Sequence, residues 1–455
     1  MINKLFKNKH FLISLQFISL TVFISLIYGS IGITTNDADF AKVLRNTNLA
    51  NLIVWSYWWP LIIVSAMFFG RYWCTICPME LITSLAGKLG LKRRPGKFLK
   101  SGWIITLFYA LILVLGIHTL AIHRIPQYMA LYMITLFAVA VIVGLIWEKR
   151  TFCTYVCPIG HLLGLYSLLS FKKLGVINKD VCKTCKTKDC ISKSNHYNII
   201  GRSCTSELYP PLITDNRDCI LCGQCFKSCT KDNIIIKKQK IAADLFTKIN
   251  LKWAEIAFFV IVSSFVIYEI LSEWHPTKQI IMAIPNYINH SLNITGSTAG
   301  TIKALTLFII LPSVFYFILA LSKRLLANET WKNSFSQLVF ALLPITASMH
   351  LLKAILKTTS RIPYWKYVFT DPKGVDTAEA VMQNHDLLQN QILTNIISPV
   401  AGYLGILLPI LGLVLSLFVI KKQQHISSTS RAISIIAALI YASIFIITMI
   451  GWKLA

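Results

Sequence analysis

Charge is scarce in this chain of 455 residues: 14% are Asp, Glu, Lys or Arg, where soluble domains carry about a quarter. Acidic residues are scarcer still, 19 against 45 basic ones, which leaves a formal net charge of +26. Cysteine is absent from two long polar stretches, 272–300 and 358–395, although the chain has 12 in all. No glycine-rich phosphate-binding loop occurs, so any reduction step needs an external electron donor. The low charge excludes an ordinary soluble domain, and 55% hydrophobic residues with a mean hydropathy of +0.61 point the same way. In a soluble protein the basic excess would suggest nucleic acid. In a membrane protein it collects in cytoplasmic loops, so lipid rather than nucleic acid is the expected partner.

What is abundant is apolar sequence. Nine runs near or beyond the roughly 18 residues that span a hydrocarbon core lie at about 11–33, 50–70, 102–122, 128–147, 253–271, 302–321, 335–356, 396–420 and 432–452. Backbone groups in lipid must bond within their own segment, so these runs are helices. The fold class is therefore an all-α polytopic membrane protein of about nine transmembrane helices. The first run follows NKLFKNKH and is too long for a signal peptide, with no clear small-residue cleavage site after it, so it reads as an anchor helix.

Loop charge orients the chain. With the N-terminus inside, the inner segments 1–10, 71–101, 148–252, 322–334 and 421–431 hold 34 of the 45 Lys and Arg, leaving 11 outside or in the outer halves of spans. That bias expects a membrane protein with a cytoplasmic N-terminus and, after nine spans, an external C-terminus. The aromatic cluster WSYWW at 55–59 then falls at the outer interface.

All 12 cysteines lie in inner segments, where thiols stay reduced and a disulfide framework does not persist. The stretch CILCGQCFKSC (219–229) places Cys219, Cys222, Cys225 and Cys229 in a C-x2-C-x2-C-x3-C run. Zinc prefers two separated C-x-x-C pairs and is the lesser alternative. The run is that of bacterial ferredoxins, in which the last cysteine of each motif ligates the other motif's cluster. Upstream, Cys182, Cys185, Cys190 and Cys204 supply the second motif. One 4Fe–4S cluster is expected on Cys182, Cys185, Cys190 and Cys229, and another on Cys219, Cys222, Cys225 and Cys204. Neither run ends in the usual proline, Thr205 and Thr230 standing there instead. A small cytoplasmic α+β module of bacterial-ferredoxin type would carry both. The expected domains are a four-helix repeat over 1–175, the two-cluster module over 176–245, and a five-helix domain with two outer loops over 246–455.

The other four cysteines form an internal repeat: RYWCTICPMELITSL (71–85) parallels RTFCTYVCPIGHLLGL (150–165). Arg71 and Arg150 precede Cys74–Cys77 and Cys153–Cys157, and each pair ends in Cys–Pro. Proline favours the first position of a helix, which would put Cys77 and Cys157 at helix N-termini. Their thiolates would be stabilised there, and a spacing of three or four would put both thiols of a pair on one helical face. A third metal site, a redox-active thiol set, and plain packing of small residues at helix ends are the competing readings.

These paired Cys–Pro motifs, followed by a two-cluster module, resemble the NapH/NosR/CcoG type of membrane-bound, polyferredoxin-like iron–sulfur protein over residues 10 to 240. Cys153 to Pro158 has the C-x3-C-P spacing of that family, and Cys74 to Pro78 is one residue shorter. The resemblance implies electron transfer between a quinol or cytoplasmic donor and a respiratory or metal-handling partner, in support of periplasmic nitrate or nitrous oxide reductase. Copper or other metal reduction in oxidase assembly, and a redox-sensing membrane regulator, are the alternatives. The flavin-binding domain of NosR-like members and the terminal immunoglobulin-like domain of CcoG-like members are not expected within these 455 residues.

An electron crossing about 30 Å of hydrocarbon needs a carrier between the two faces. His118, His123 and His350 are the candidate haem or copper ligands near span ends. A quinone pocket would leave no short motif.

Overall fold

The computed structural model describes residues 2–8, 10–148 and 150–454. Among them, eight helices are long and apolar enough to cross a membrane: Phe11–Tyr28, Leu49–Phe69, Pro126–Ile146, Trp253–Leu271, Gly296–Ala327, Trp331–Thr359, Leu393–Lys422 and Ser428–Leu454. They match eight of the nine expected spans. The remaining run, expected at 102–122, is a shorter apolar helix, Trp103–Ile117. Nine of its residues are α-helical and the last six widen into a π-helix. Such a helix rises only about 22 Å; it ends at Ile117, and the chain turns at Ala121, whose φ is +52°.

The chain divides into two compact units. One gathers residues 1–28, 64–108 and 131–244; the other gathers 29–63, 109–130 and 245–455.

The first unit holds all 12 cysteines. Its sheet is one antiparallel pair, β1 (Lys172–Val176) and β2 (Ile234–Lys238), with Lys172 opposite Lys238 and Val176 opposite Ile234. Alternation turns Leu174, Val176, Ile234 and Ile236 inward. Residues 182–229, with eight of the cysteines, lie between the two strands in sequence. The N-terminal segment is part of this core and not a free basic tail. Helix Ile2–Lys7 inserts Phe6 among Leu221, Phe226 and Ile236. Its Asn3 Oδ1 accepts the Ile236 N–H at 3.1 Å. An outer backbone donor of β2 is thereby satisfied.

In the second unit the 29-residue helix Trp331–Thr359 is the most enclosed element and packs against Ser398–Lys422 and Ser428–Leu454. The two stretches expected as outer loops are folded. Residues 272–300 contain the helix His275–Ser291, and 358–395 contain Ile362–Lys366, Val375–Gln383 and His385–Leu388. The latter stretch is pinned to helix Ala38–Thr47, where Thr47 Oγ1 donates to the Gly374 carbonyl at 2.6 Å. Only glycine suits position 374: its φ is +74°, and a Cβ would fall 2.3 Å from the Thr47 carbonyl carbon.

Candidate functional site

The Cys–Pro repeat shows how local structure absorbs a difference in length. In the first copy the short helix Trp73–Ile76 closes with Cys77 N–H donating to the Trp73 carbonyl at 3.0 Å, an i to i−4 bond. In the second, Phe152–Val156 is a π turn, and Cys157 N–H donates to the Phe152 carbonyl at 2.8 Å, an i to i−5 bond. The wider turn accommodates the extra residue of C-x3-C, so both copies break at the same place. Cys77 and Cys157 have extended ψ angles of 129° and 119°.

Cys77 caps the helix Pro78–Leu89, with Pro78 at its first position as expected. Cys157 does not cap a helix: Pro158 and Ile159 form a turn, and the helix Gly160–Ser167 begins after Ile159. All four thiols face one another. Burial, joined by mutual repulsion, raises Cys77 well above the ordinary thiol range and pushes Cys153 and Cys157 up to about 12. The helix ends therefore do not by themselves lower these thiols as expected. Desolvation of the sulfur outweighs the favourable helix end and the nearby arginines.

Two further groups of thiols converge. Cys190 faces Cys229, Cys182 and Cys185, and burial first, then those neighbours, push it up to about 12. Asn233 ties this group together, its backbone N–H donating to Cys229 Sγ at 3.4 Å and its Nδ2 to Cys182 Sγ at 3.1 Å. Cys204 faces Cys219, Cys222 and Cys225. Burial pushes Cys219 up to about 12 and Cys225 well above its usual value. Cys225 also faces Cys190, so these two groups adjoin. Gly223 sets the bend between Cys222 and Cys225: its φ is +69°, and a Cβ there would lie 2.6 Å from the Phe6 ring and 2.7 Å from Leu12.

Arginines join the second group to the Cys–Pro group. Arg150 and Arg202 both flank Cys222 and Cys153. Burial would raise the Cys222 thiol, yet the two guanidiniums outweigh it and hold the thiol below its ordinary range. Both arginines are almost fully buried and share one carboxylate, Glu80, in the first turn after Cys77–Pro78. Gln16 Nε2 donates to the same carboxylate and also to the Thr75 carbonyl, at 2.9 Å in the latter bond. Arg71, also buried, donates to the Arg217 carbonyl at 3.1 Å and faces Cys74 and Cys157. Beside Glu80 opens a cleft between the first span and helix Pro78–Leu89, lined by Ile13, Gln16, Ser84, Leu85, His196 and Tyr197.

Two stretches of the chain, 51–97 and 129–176, match the family model described as a 4Fe-4S binding domain. The match indicates 4Fe–4S cluster binding. It falls on the two copies of the Cys–Pro repeat and so on Cys74, Cys77, Cys153 and Cys157, the cysteines whose role the sequence left most open. Two uncharacterized proteins of Methanocaldococcus jannaschii are similar. MJ0749 is 26% identical over 193 residues, covering 41% of this chain and 69% of its own length. MJ0750 is 26% identical over 190 residues, covering 38% of this chain and 74% of its own. No solved structure matches the chain.

The residues fit such clusters. Every cysteine is a free thiol, and they stand in three groups of four. Among the described residues no three His, Cys, Asp or Glu side chains close on one point as a single ion requires. A tetrahedral zinc with Zn–S bonds of about 2.3 Å would draw its sulfurs to about 3.8 Å from each other. Backbone N–H groups point at several sulfurs: Met79 at Cys77, Ile159 and Gly160 at Cys157, Leu221 at Cys219, and Gln224 at Cys222. Hydrogen bonds of this kind tune cluster ligands.

The candidate haem histidines lie elsewhere, in the second unit. The His118 ring packs on Phe308 at 4.8 Å and on Tyr268 at 5.6 Å. His350 is enclosed between Trp59 and Phe265, at 6.3 and 6.2 Å. His123 Nε2 accepts from Arg124 Nε at 3.2 Å. Rings or a guanidinium pack against each imidazole, while His118 Nε2 and His123 Nδ1 are buried without a hydrogen-bond partner.

Sequence reasoning passed over Glu80, Arg202 and Asn233. Glu80 carried a signal, since it is one of 19 acidic residues and stands three positions after a Cys–Pro step. Arg202 and Asn233 sit in ordinary polar loops and acquire their roles only through folding.

Proposed function

We propose that the protein is a membrane-bound iron–sulfur electron-transfer protein holding three 4Fe–4S clusters in succession, on Cys182/Cys185/Cys190/Cys229, on Cys204/Cys219/Cys222/Cys225, and on Cys74/Cys77/Cys153/Cys157. The observation that carries this reading is the convergence of the thiols into three groups of four, in which Cys190 adjoins Cys225 and Cys222 reaches Cys153 through Arg150 and Arg202. When bound, the clusters supply one-electron carriers.

The chain's own residues do the rest. Thiolates hold the irons, and backbone N–H groups and Asn233 donate to sulfur. Arg150 and Arg202 place positive charge between two groups of sulfurs, which favours added negative charge there. Glu80 keeps both guanidiniums fixed and offsets part of their charge. The last group follows the ends of the spans Leu49–Phe69 and Pro126–Ile146, where a lipid-soluble donor is within reach. Both spans run in the same direction toward it, so the chain between them must return across the membrane. Trp103–Ile117 is the helix available for that return, which retains an odd number of crossings and opposite sides for the termini. The loop charge bias supports a cytoplasmic cluster region. We assign the cleft beside Glu80 to a quinol head group, with electrons passing on to a respiratory or metal-handling partner of the NapH/NosR type.

The test is anaerobic purification with iron and labile-sulfide analysis, followed by reduction with a quinol analogue. About twelve irons per chain are expected. Leu85→Trp, which fills the cleft, should stop reduction by the quinol but not by dithionite. About eight irons in the wild type would remove the Cys–Pro cluster, and bound zinc without labile sulfide would remove all three.

A further inference from the structure

The second unit contains a concentration of positive charge that electron transfer does not use. Of the 11 basic residues outside the inner segments, five meet at one end of the spans: Arg45, Arg124, Lys353, Lys357 and Arg361. The lysines are neutralised. Lys353 pairs with Glu273 at 2.5 Å and Glu269 at 3.3 Å, and Lys357 pairs with Glu269 at 3.0 Å. The three arginines make no direct ion pair among the described residues, and Glu269, already shared by the two lysines, is the one carboxylate that acts on Arg45 and Arg361. Arg361, 8% exposed, donates through Nη1 to Ser56 Oγ at 2.6 Å. Arg124 donates to His123, and its carbonyl accepts from Asn51 Nδ2 at 3.3 Å. Arg45, on helix Ala38–Thr47, faces both Arg124 and Arg361.

Around them stand buried N–H groups with no acceptor: Arg45 Nε, Trp55 Nε1 and His123 Nδ1. Because His123 Nε2 accepts from Arg124, its proton is on Nδ1, which makes that nitrogen a donor too. The Trp55 and His123 rings lie 6.5 Å apart, edge to face, so both unpartnered donors belong to one pair of neighbouring rings. The amide oxygens of Asn46 and Asn51 are also unpartnered, so a ligand there meets mostly donors and a few acceptors. Arg361 is buried and Arg45 and Arg124 are half-buried, and like charges drawn together with part of their hydration removed are unfavourable unless something negative joins them. Planar guanidiniums match the oxygens of a phosphate group in pairs.

We propose that Arg45, Arg124 and Arg361, with Trp55 and His123, form a binding site for a phosphate-type oxyanion. Its source is either free inorganic phosphate or sulfate, or the head group of an anionic phospholipid, since the site lies beside the WSYWW aromatic cluster.

The test uses the full chain with its clusters. Equilibrium dialysis against labelled phosphate and labelled sulfate in detergent reads the free anion. Thermal unfolding in phosphatidylglycerol against phosphatidylcholine nanodiscs reads the head group. Saturable binding of about one anion per chain, or a higher melting temperature in phosphatidylglycerol alone, supports the site and names its source. Arg45→Gln and Arg361→Gln should each weaken that response at least tenfold. Without the anion, Arg45→Gln should melt no lower than wild type, because it relieves repulsion where removal of an ion-pair partner would destabilise. No response of the wild type to either source, an undiminished response in both variants, or a failure of Arg45→Gln to fold would overturn the proposal.

Discussion

At the scale of single residues, the cysteines were legible and their partners were not. Cysteine spacing is a local property, so the runs at 182–190 and 219–229 and the two Cys–Pro pairs could be read directly from the chain. Glu80, Arg202 and Asn233 act on thiols far away in sequence, and no local pattern marks them. A helix N-terminus is visible in sequence, while the depth of burial that opposes it at the Cys–Pro thiols is not. Asn233 offers a sharp test. Its side chain donates to Cys182 Sγ at 3.1 Å, and such a bond favours the reduced, more negative cluster. Asn233→Ala should lower one reduction potential by a few tens of millivolts, the equivalent of about 1 kcal/mol. Redox titration followed by electron paramagnetic resonance would read it, and unchanged potentials would remove Asn233 from the site. Cys153→Ser should reduce the iron content from about twelve to about eight per chain while the other two groups stay loaded. Full iron in that variant would return these four cysteines to a packing role.

At the scale of elements, hydropathy located the spans well because length and apolarity are summed over many residues. It placed the third span too long, since 102–122 is continuous in hydropathy but its helix ends at Ile117. It also gave no hint that the stretches 272–300 and 358–395 fold into helices. The one-residue mismatch between the two Cys–Pro copies looked like a departure in sequence and is resolved by a π turn. Deleting Tyr155 should convert that turn to the α geometry of the first copy and leave the iron content intact. Deleting Ile76 has no wider turn to draw on and should lose about four irons. Equal losses in both deletions would refute the equivalence of the copies. Glu80 links the first span, the helix Pro78–Leu89 and the loop bearing Arg202. Glu80→Gln leaves two buried guanidiniums without a carboxylate, at a cost of about 3–5 kcal/mol. A lower melting temperature with partial loss of iron is the expected outcome, and wild-type stability would mean that water reaches the arginines.

At the scale of the whole molecule, class and charge bias were legible from composition, whereas the grouping of the chain into two discontinuous units was not. Contacts between distant stretches decide that grouping, and composition is blind to them. The orientation is testable as a unit. A reporter inserted after Lys240 should be active only in the cytoplasm, and one fused after Lys453 only outside; matching signals would mean that Trp103–Ile117 does not cross. The docking of the N-terminal helix on β2 also sets a schedule. Asn3 and Ile236 are 233 positions apart, so at about 5–20 residues per second the ribosome delivers one roughly 10 to 50 s before the other. Phe6 and Asn3 must wait beside the membrane, through the insertion of the early spans, for the strand they cover. The cysteine-bearing region therefore stays open on that side during synthesis, and the helix closes over Gly223 only once residue 236 has emerged.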